Sequence, residues 1–207
     1  MRLRPFIAIL VLALLLAGFL LLWFSGNSLL GRLGLGAGAL DVASRPTGGD
    51  FTLHSANGPV RLVDLRGRVV LIYFGYTSCP DICPTNLAYL GSALQDLTPR
   101  ELDRVLVLFV SVDPARDSLG HLASYARYFH PNIVGVTGTP KEVAHVAALY
   151  GAAYRKVPQG NSAMGYLVDH SAYTYVVDPK GRLVETLDHA PSPRLVTKTI
   201  RALLAED

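Results

Sequence analysis

The hydrophobic pattern divides the chain into an apolar N-terminal run, a glycine-rich stretch and a long region of alternating strand and helix patterns. Residues 6–24 (FIAILVLALLLAGFLLLWF) contain no charged side chain. As a helix, this run would be about 28 Å long, close to the roughly 30 Å hydrocarbon thickness of a bilayer. We therefore expect residues 1–24 to form a membrane anchor. Residues 25–50, with seven glycines, are expected to form a linker and residues 51–207 one domain.

The region from residue 51 onwards contains two continuous apolar runs, RVVLIYFGY and RVLVLFVSVD, which are typical of strands buried on both faces. Asn57-Gly58 indicates the turn of an opening hairpin, and DPKG indicates the turn of a later one. NIVGVTG is expected to form a strand, and AAYRKV an edge strand. The predicted helices cover residues 84–97, 118–129, 141–150 and 194–205. Strand, loop, helix and strand, followed by a hairpin and a helix, is the order of a thioredoxin-like α/β domain.

The apolar run also bears on location. Arg2 and Arg4 could form the basic region of a cleaved signal peptide, but the apolar core of a signal is usually about 7–15 residues long. An uncleaved anchor would keep these arginines in the cytoplasm and send the domain across the membrane. No Arg- and Ser-rich presequence precedes the run, which favours a bacterium over a mitochondrion. We expect a single-pass inner-membrane protein with a periplasmic domain.

The charge of the domain excludes one class of partner. Residues 51–207 carry 15 basic and 14 acidic side chains, so the domain is nearly neutral. They contain no basic stripe with interleaved aromatic residues, no zinc-finger spacing and no phosphate-loop motif. We therefore expect no nucleic-acid partner.

The two cysteines of the chain, Cys79 and Cys83, lie in the stretch YFGYTSCPDICPTNL between a predicted buried strand and a predicted helix. Pro84 suits the first helical position, which would place Cys83 at or near the N-cap, where helix-end N–H groups favour a thiolate. A structural disulfide or a pair of inert thiols, a redox-active pair, and a metal site for a soft ion such as Cu(I) are all compatible with this position. A metal site would need a third ligand from elsewhere in the chain.

The six histidines are the natural source of that ligand. For five of them, the sequence pattern gives no reason to expect a metal ligand rather than a surface or packing residue. They are His54, His121, His130, His145 and His189. His170 differs, because it directly precedes a predicted strand that should lie beside the cysteine-bearing strand. On the residues alone, the redox and metal interpretations both remain open.

Three motifs carry a family resemblance: FGYTSCPDICPTNL, FVSVDPARDS and YLVDHSAYTYVVDPKGRL, in this order along residues 51–207. With the N-terminal apolar run, they resemble the Sco/SenC family of membrane-anchored copper-delivery proteins. The resemblance implies a thioredoxin-like fold that binds copper, Cu(I) or Cu(II), through Cys79, Cys83 and His170. A loop with three residues between the cysteines would let both thiolates point at one metal ion. His170 would be the third ligand and would complete a three-coordinate site.

The resemblance also implies a role in assembling the dinuclear copper centre of cytochrome c oxidase. Its implied partners are the copper-receiving oxidase subunit and, as a further candidate, another periplasmic copper chaperone. We expect a metallochaperone without turnover chemistry. A thiol–disulfide reductase that keeps the receiving cysteines reduced is the main alternative, and a thiol peroxidase is a third. If the redox-active pair Cys79 and Cys83 can form a disulfide, copper loading and oxidation should exclude each other.

Two aspartates are candidates for supporting roles around these ligands. Asp169 could orient His170, or it could be a surface residue at the end of a strand. Asp113 ends the second buried strand and could face the site, or it could form a turn before Pro114.

Overall fold

A computed structural model describes residues 14–21, 46–158 and 165–206 of the chain. The chain divides into two units, residues 1–44 and residues 45–207. In the first unit, residues 14–21 are helical. Among the residues that the structure describes, no helix combines the length and apolar character needed to cross a bilayer. Most of the predicted anchor and linker, residues 1–13 and 22–45, lies outside the described residues.

The second unit is built around a five-stranded mixed sheet with the strand order β5-β4-β3-β8-β9. Its strands are β3 (Val69–Gly75), β4 (Val105–Ser111), β5 (Ile133–Val136), β8 (Thr174–Val177) and β9 (Leu183–Leu187). Every residue of β3 is buried, because this strand is central and has packed elements on both faces. The two apolar runs of the sequence are therefore confirmed as the buried centre of the sheet.

The register of the central strands brings distant parts of the chain to one edge. β3 and β4 run parallel with Gly75 opposite Ser111, so their carboxyl ends coincide. β8 runs antiparallel to β3 and starts at Thr174, opposite Tyr73. The segments after Gly75, after Ser111 and before Thr174 therefore meet at the same edge of the sheet.

In the described part of the second unit, five α-helices pack around the sheet or connect its strands. They are α1 (Ile82–Gln95), α2 (Pro99–Leu102), α3 (Leu119–Phe129), α4 (Pro140–Tyr150) and α5 (Pro193–Ala205). Ser118, Thr139 and Ser192 each cap the helix that follows by accepting a backbone N–H, as expected of hydroxyl residues at N-caps. Four of the five helices were predicted within two residues at each end, and the one-turn α2 was not predicted.

Two antiparallel strand pairs lie outside the main sheet. β1 (Thr52–Ser55) pairs with β2 (Gly58–Arg61), and a 3-10 helix follows at Leu62–Leu65. β6 (Tyr154–Pro158) pairs with β7 (Tyr166–His170). The opening hairpin is confirmed, with its turn at residues 56–57, one residue earlier than predicted.

One further sequence-based prediction is confirmed here, and another needs correction. The segment AAYRKV is confirmed as a strand with a partner on one side only among the described strands, because its residues from Tyr154 onwards form β6, which pairs with β7 in a separate two-stranded sheet. The helix after the cysteines begins at Ile82 rather than at Pro84. Pro84 is its third residue, which is allowed because none of the N–H groups in the first turn of a helix has a partner within the helix.

Candidate metal centre

Cys79 and Cys83 lie on either side of the junction between the loop after β3 and helix α1. Cys79 is in the loop, and its backbone N–H donates to the carbonyl of Tyr76 at 3.2 Å. Cys83 is the second residue of α1 and is fully buried, whereas the side chain of Cys79 keeps a small exposed fraction of 8%. Both cysteines are free thiols. The position of Cys83 in the first helical turn confirms that it lies near the N-terminus of the helix, although not at the N-cap.

Gly75, the last residue of β3, leaves the space that the sulfur of Cys83 occupies. A Cβ atom at position 75 would lie 2.7 Å from Cys83 Sγ and 2.8 Å from the ring of Phe109. Both distances are shorter than van der Waals contact. The glycine at the end of the strand therefore permits the sulfur to approach the backbone of β3.

Asp117 fixes the beginning of the cysteine loop. Its buried carboxylate accepts the backbone N–H of Thr77 at 3.1 Å and the hydroxyl of Thr77 at 2.5 Å. The hydroxyl of Ser111 also donates to this carboxylate, at 2.5 Å. Bonds of this kind to a buried charge are strong, so Asp117 ties the loop after β3 to the segment after β4.

His170 approaches the cysteines from the other side. It is the last residue of β7, and its Nε2 lies 3.3 Å from Cys83 Sγ. Its Nδ1 lies 3.1 Å from the carbonyl oxygen of Ser171. Because Nδ1–H donates to this carbonyl, Nε2 keeps its lone pair for a proton or a metal ion.

The rings of Tyr73 and Tyr76 surround the imidazole. Each lies nearly perpendicular to His170, with centroid separations of 6.2 Å and 5.8 Å respectively. Tyr73 is fully buried and Tyr76 is almost so. The imidazole is therefore enclosed by two aromatic side chains of the core.

The sulfur atoms of Cys79 and Cys83 and a ring nitrogen of His170 all lie within 4.8 Å of one another. Metal–ligand bonds of about 2.0–2.3 Å would place ligands of one ion about 4 Å apart. Two sulfurs and an imidazole are suitable ligands for a soft ion such as Cu(I). The donor set therefore fits a three-coordinate copper ion after small adjustments of the ligand positions.

The surroundings of the two cysteines shift the pKa values of their thiols in opposite directions. Hydrogen bonding from Cys83, with further contributions from the backbone N–H groups of Asp81 and Cys83, lowers the pKa of Cys79 to about 4. Burial raises the pKa of Cys83, and the neighbouring Cys79 raises it further. At neutral pH the pair consequently holds one thiolate, at Cys79, and one thiol, at Cys83.

A surface cavity of about 350 Å³ lies beside Cys79. Its lining includes Cys79, His170 and Tyr76, together with Pro80, Asp81 and Leu167. The fully buried Cys83 does not line this cavity. Cys79 is therefore the sulfur that an approaching metal complex or thiol meets first.

The two aspartates occupy different positions from the cysteines and the histidine. Asp169 is exposed, and its carboxylate pairs with Arg155 at 3.0 Å. The group that faces Nδ1 of His170 is the Ser171 carbonyl, so it replaces Asp169 as the residue that orients the ring. Asp113 is fully buried, but its carboxylate contacts Arg116 and Tyr166 rather than the cysteines.

Several residues of this region were not anticipated from the sequence. They are Thr77, Ser111, Arg116, Asp117, Lys156, Tyr166 and Ser171. Three of them, Ser111, Arg116 and Asp117, lie inside the quoted stretch FVSVDPARDS. Their signal was a group of polar side chains at the end of a buried strand, where the loops of neighbouring strands meet.

Comparison with family models matches residues 41–205 of the chain to SCO1/SenC. The chain belongs to the SCO1/SenC family. An SCO2-like protein of Rickettsia conorii is 36% identical over 155 residues, which make up 74% of this chain and 75% of the relative. The family predicted from the three motifs is therefore confirmed.

Solved Sco structures share the fold. The copper-bound ScoI of Arabidopsis thaliana is 32% identical with a TM-score of 0.69, and the match covers 77% of this chain and 99% of that chain. The apo Sco1 of Thermus thermophilus is 40% identical with a TM-score of 0.69, over 79% of this chain and 95% of that one. The predicted α/β fold with its central sheet is thus confirmed. Since these relatives consist almost entirely of the matching region, we expect residues 45–207 to fold without residues 1–44.

Proposed function

We propose that this SCO1/SenC protein is a copper metallochaperone that binds one copper ion through Cys79 Sγ, Cys83 Sγ and His170 Nε2. The observation that carries the proposal is the convergence of these three ligand types within 4.8 Å of one another. The copper-bound Sco relative of Arabidopsis thaliana supports copper as the ion. Copper is the cargo of the protein and not a resident cofactor, and the protein carries out no turnover chemistry of its own.

The state of the two thiols defines what happens when Cu(I) binds. Cys79 is already a thiolate, because its pKa lies below neutrality. Cys83 is a thiol and loses its proton when the ion binds, so each Cu(I) that binds releases one proton at neutral pH. His170 contributes the lone pair of Nε2 and loses no proton. The ion enters through the cavity beside Cys79.

The recipient of the copper is the subunit that carries the dinuclear copper centre of cytochrome c oxidase. Support comes from family membership, and from the three motifs that carry the resemblance. Asp81, which is exposed, and Leu167, which is half-buried, line the cavity beside the sulfur that a recipient would reach first. A further copper chaperone is proposed as the donor.

A second candidate function, thiol–disulfide reduction of the recipient, is favoured by the low pKa of Cys79. The Cys79 thiolate would attack one sulfur of a recipient disulfide and release the other as a thiolate. Cys83 would then lose its proton and attack Cys79, which releases the recipient's second thiolate and leaves a Cys79–Cys83 disulfide. The two electrons pass from this pair to the recipient, and the oxidised pair cannot hold copper.

Residues 1–24 are proposed as a single-pass anchor in the inner membrane, with residues 25–50 as the linker and 51–207 as the copper-binding domain. The support is the uncharged run at residues 6–24, of which residues 14–21 are helical. With the N-terminus in the cytoplasm, the domain would lie in the periplasm.

An anaerobic titration of the reduced full-length chain with Cu(I), in competition with a colorimetric chelator, tests the proposal. We expect one copper per chain. We expect a loss of copper affinity of more than about 100-fold for each of Cys79→Ala, Cys83→Ala and His170→Ala. Removing a metal ligand should cost more affinity than removing a residue that only contacts a ligand. His121→Ala is the matched control, since His121 is exposed on α3, and it should bind copper like the parent.

The same samples separate the two candidate functions. Mixing the copper-loaded chain with a reduced, copper-free oxidase fragment should transfer copper to that fragment without forming a Cys79–Cys83 disulfide. If His170→Ala binds copper as the parent does, while the metal-free chain reduces a disulfide in the fragment, the reductase function replaces the chaperone function.

A further inference from the structure

The β6–β7 hairpin carries His170, yet it lies outside the five-stranded sheet. A group of four side chains fastens this hairpin to the loop after β4. We call this group the Tyr166 clamp, and its members are Asp113, Arg116, Lys156 and Tyr166. The clamp lies at the end of β7 opposite to His170, about 13 Å away along an extended strand of four residue steps.

Tyr166 is held at three points. Its hydroxyl donates to Asp113 Oδ1 at 2.7 Å, and its carbonyl accepts from Arg116 Nη1 at 3.0 Å. The guanidinium of Arg116 lies 3.8 Å from the centre of the Tyr166 ring, within the range of a cation–π contact. The same arginine forms an ion pair with Asp113. The ring, the hydroxyl and the backbone of one residue are therefore all fixed by one loop.

The charges in the clamp explain why its geometry is restrictive. Asp113 is fully buried, and burying a polar group is costly unless it has hydrogen-bond or ion-pair partners. Arg116 supplies the nearer charge, while Lys156 Nζ lies 3.6 Å from Asp113 Oδ1 and 4.5 Å from the Tyr166 ring. Movement of Tyr166 away from this loop would take a hydrogen bond from the buried carboxylate.

The clamp acts along one face of β7. Side chains of a strand alternate between its faces, so Tyr166, Val168 and His170 share the face directed at the central sheet and its loops. Tyr166 contacts Asp113, Val168 is buried, and His170 contacts Cys83. The opposite face carries the exposed Asp169. The clamp therefore holds this row of side chains at Tyr166, its first residue. The row ends at His170, whose imidazole faces the cysteines.

We propose that Tyr166, held by Asp113 and Arg116, is a positioning residue for copper binding. It fixes the position of β7 relative to the loop after β4. It thereby determines the distance between His170 Nε2 and the two sulfurs. The inference rests on the proposed function, because it requires His170 to be a copper ligand. Tyr166 itself does not touch the copper or its three ligands.

The test is a double-mutant cycle on the full-length chain, purified in mild detergent because residues 6–24 are apolar. Tyr166→Phe removes the hydroxyl and keeps the ring under Arg116. We expect it to lower the Cu(I) affinity by about tenfold, the lower end of the range for contacts that orient a metal ligand. In the His170→Ala background the same substitution should change the affinity by less than about twofold, because no imidazole remains to be positioned.

Two further readouts separate positioning from general stability. The Cu(II) form of Tyr166→Phe should show an altered electron paramagnetic resonance spectrum, since the nitrogen ligand moves relative to the sulfurs. The control is Thr197→Val, which removes another hydroxyl that donates to backbone carbonyls, of Ala93 and Pro193, on α1 and α5. It should lower thermal stability without changing copper affinity or the spectrum.

The outcomes are distinct. If His170→Ala lowers copper affinity but Tyr166→Phe does not, the positioning role is wrong and the proposed function stands. An equal loss from Tyr166→Phe with and without His170 also overturns the positioning role. If His170→Ala has no effect, the ligand set and this inference both fail. Should Tyr166→Phe not fold, Lys156→Met at a half-exposed clamp position takes its place, with a loss of about threefold expected only when His170 is present.

Discussion

The cysteines and the histidine of the metal centre are held by different kinds of structure. The cysteine side consists of a strand that is buried along its whole length, a loop fixed by the buried Asp117 and the first turn of α1. The histidine side consists of two short strands that pair with each other, in which Val168 is the one buried residue among the described positions of β6 and β7. The first is part of the core, and the second is attached to it mainly by polar and aromatic contacts.

This difference has a consequence for copper exchange. The two sulfurs should keep their places whether or not copper is bound, since moving them would disrupt the core. The hairpin has fewer buried apolar contacts, so it should open at a lower free energy than the sheet does. A site with two fixed ligands and one adjustable ligand can hold copper and then give it to a recipient. Substitutions on the cysteine side should therefore change global stability, and those on the histidine side should not.

The greatest loss of stability is expected for Asp117→Ala on the cysteine side. It removes three hydrogen bonds and leaves the polar groups of Thr77 and Ser111 without their buried partner. The free energy of unfolding of residues 45–207 should fall by about 3 kcal/mol. Urea denaturation measures it, with the exposed Asp188→Ala as the control, which should stay within about 0.5 kcal/mol of the parent. A loss for Asp117→Ala no larger than that of the control would contradict a fixed cysteine loop.

Gly75→Ala should have the next largest effect. The new methyl group would lie too close to Cys83 Sγ and Phe109, and overpacking of this kind costs about 1–3 kcal/mol. Since the displaced atom is a ligand, copper affinity should fall as well. Gly120→Ala is the matched control because a Cβ atom there meets nothing within 4 Å, and it should leave copper affinity unchanged. Equal affinities for the two variants would show that the cysteine side adapts more readily than we infer.

The pH dependence of the free energy of unfolding tests the cysteine side without adding or removing bulk in the core. An unfolded cysteine has a pKa of about 8.5, whereas that of Cys79 falls to about 4 in the folded protein. Between these values the unfolded chain binds one more proton, so this contribution to stability grows as the pH rises and is lost as the pH falls towards about 4. Burial raises the pKa of Cys83, so its contribution decreases above about pH 8.5.

The measurement compares the reduced parent with Cys79→Ser by urea denaturation at several values between about pH 5 and pH 8. The difference in unfolding free energy between the two proteins should increase with pH, because serine does not titrate in this range. A difference independent of pH would show that Cys79 is a thiol in the folded state.

The cysteine side was also the more predictable of the two from the sequence. β3 and β4 are continuous apolar runs, and a strand buried on both faces leaves this signal without any knowledge of its neighbours. The cysteines are close together in sequence, so a local argument placed both of them at a strand–helix junction. The early start of α1 was missed because a proline is acceptable anywhere in the first turn, and its position therefore does not fix the first residue.

The histidine side depends on contacts between residues that are far apart in the sequence. Tyr166 bonds to Asp113 across 53 positions, and no local pattern specifies such a pair. The sequence of β7, YLVDH, mixes apolar and polar residues on both faces, so its strand periodicity is weak. Its partner β6 was predicted as an edge strand, but the sequence did not indicate that β7 is the strand it pairs with. His170 itself was singled out by its place before β8, and the resemblance supplied its role.

The substitution Asp169→Asn also tests the histidine side. Its expected effect is the smallest among these predictions. The ion pair of Asp169 with Arg155 is exposed, and exposed pairs contribute about 0–1 kcal/mol. Because the Ser171 carbonyl and not Asp169 faces Nδ1 of His170, copper affinity should change by less than about twofold. The competition titration that detects the His170→Ala loss measures this directly, and urea denaturation should show a shift below about 0.5 kcal/mol. A tenfold loss of copper affinity would instead mean that Asp169 turns towards the imidazole when the metal binds, so that the adjustable side of the site includes its carboxylate.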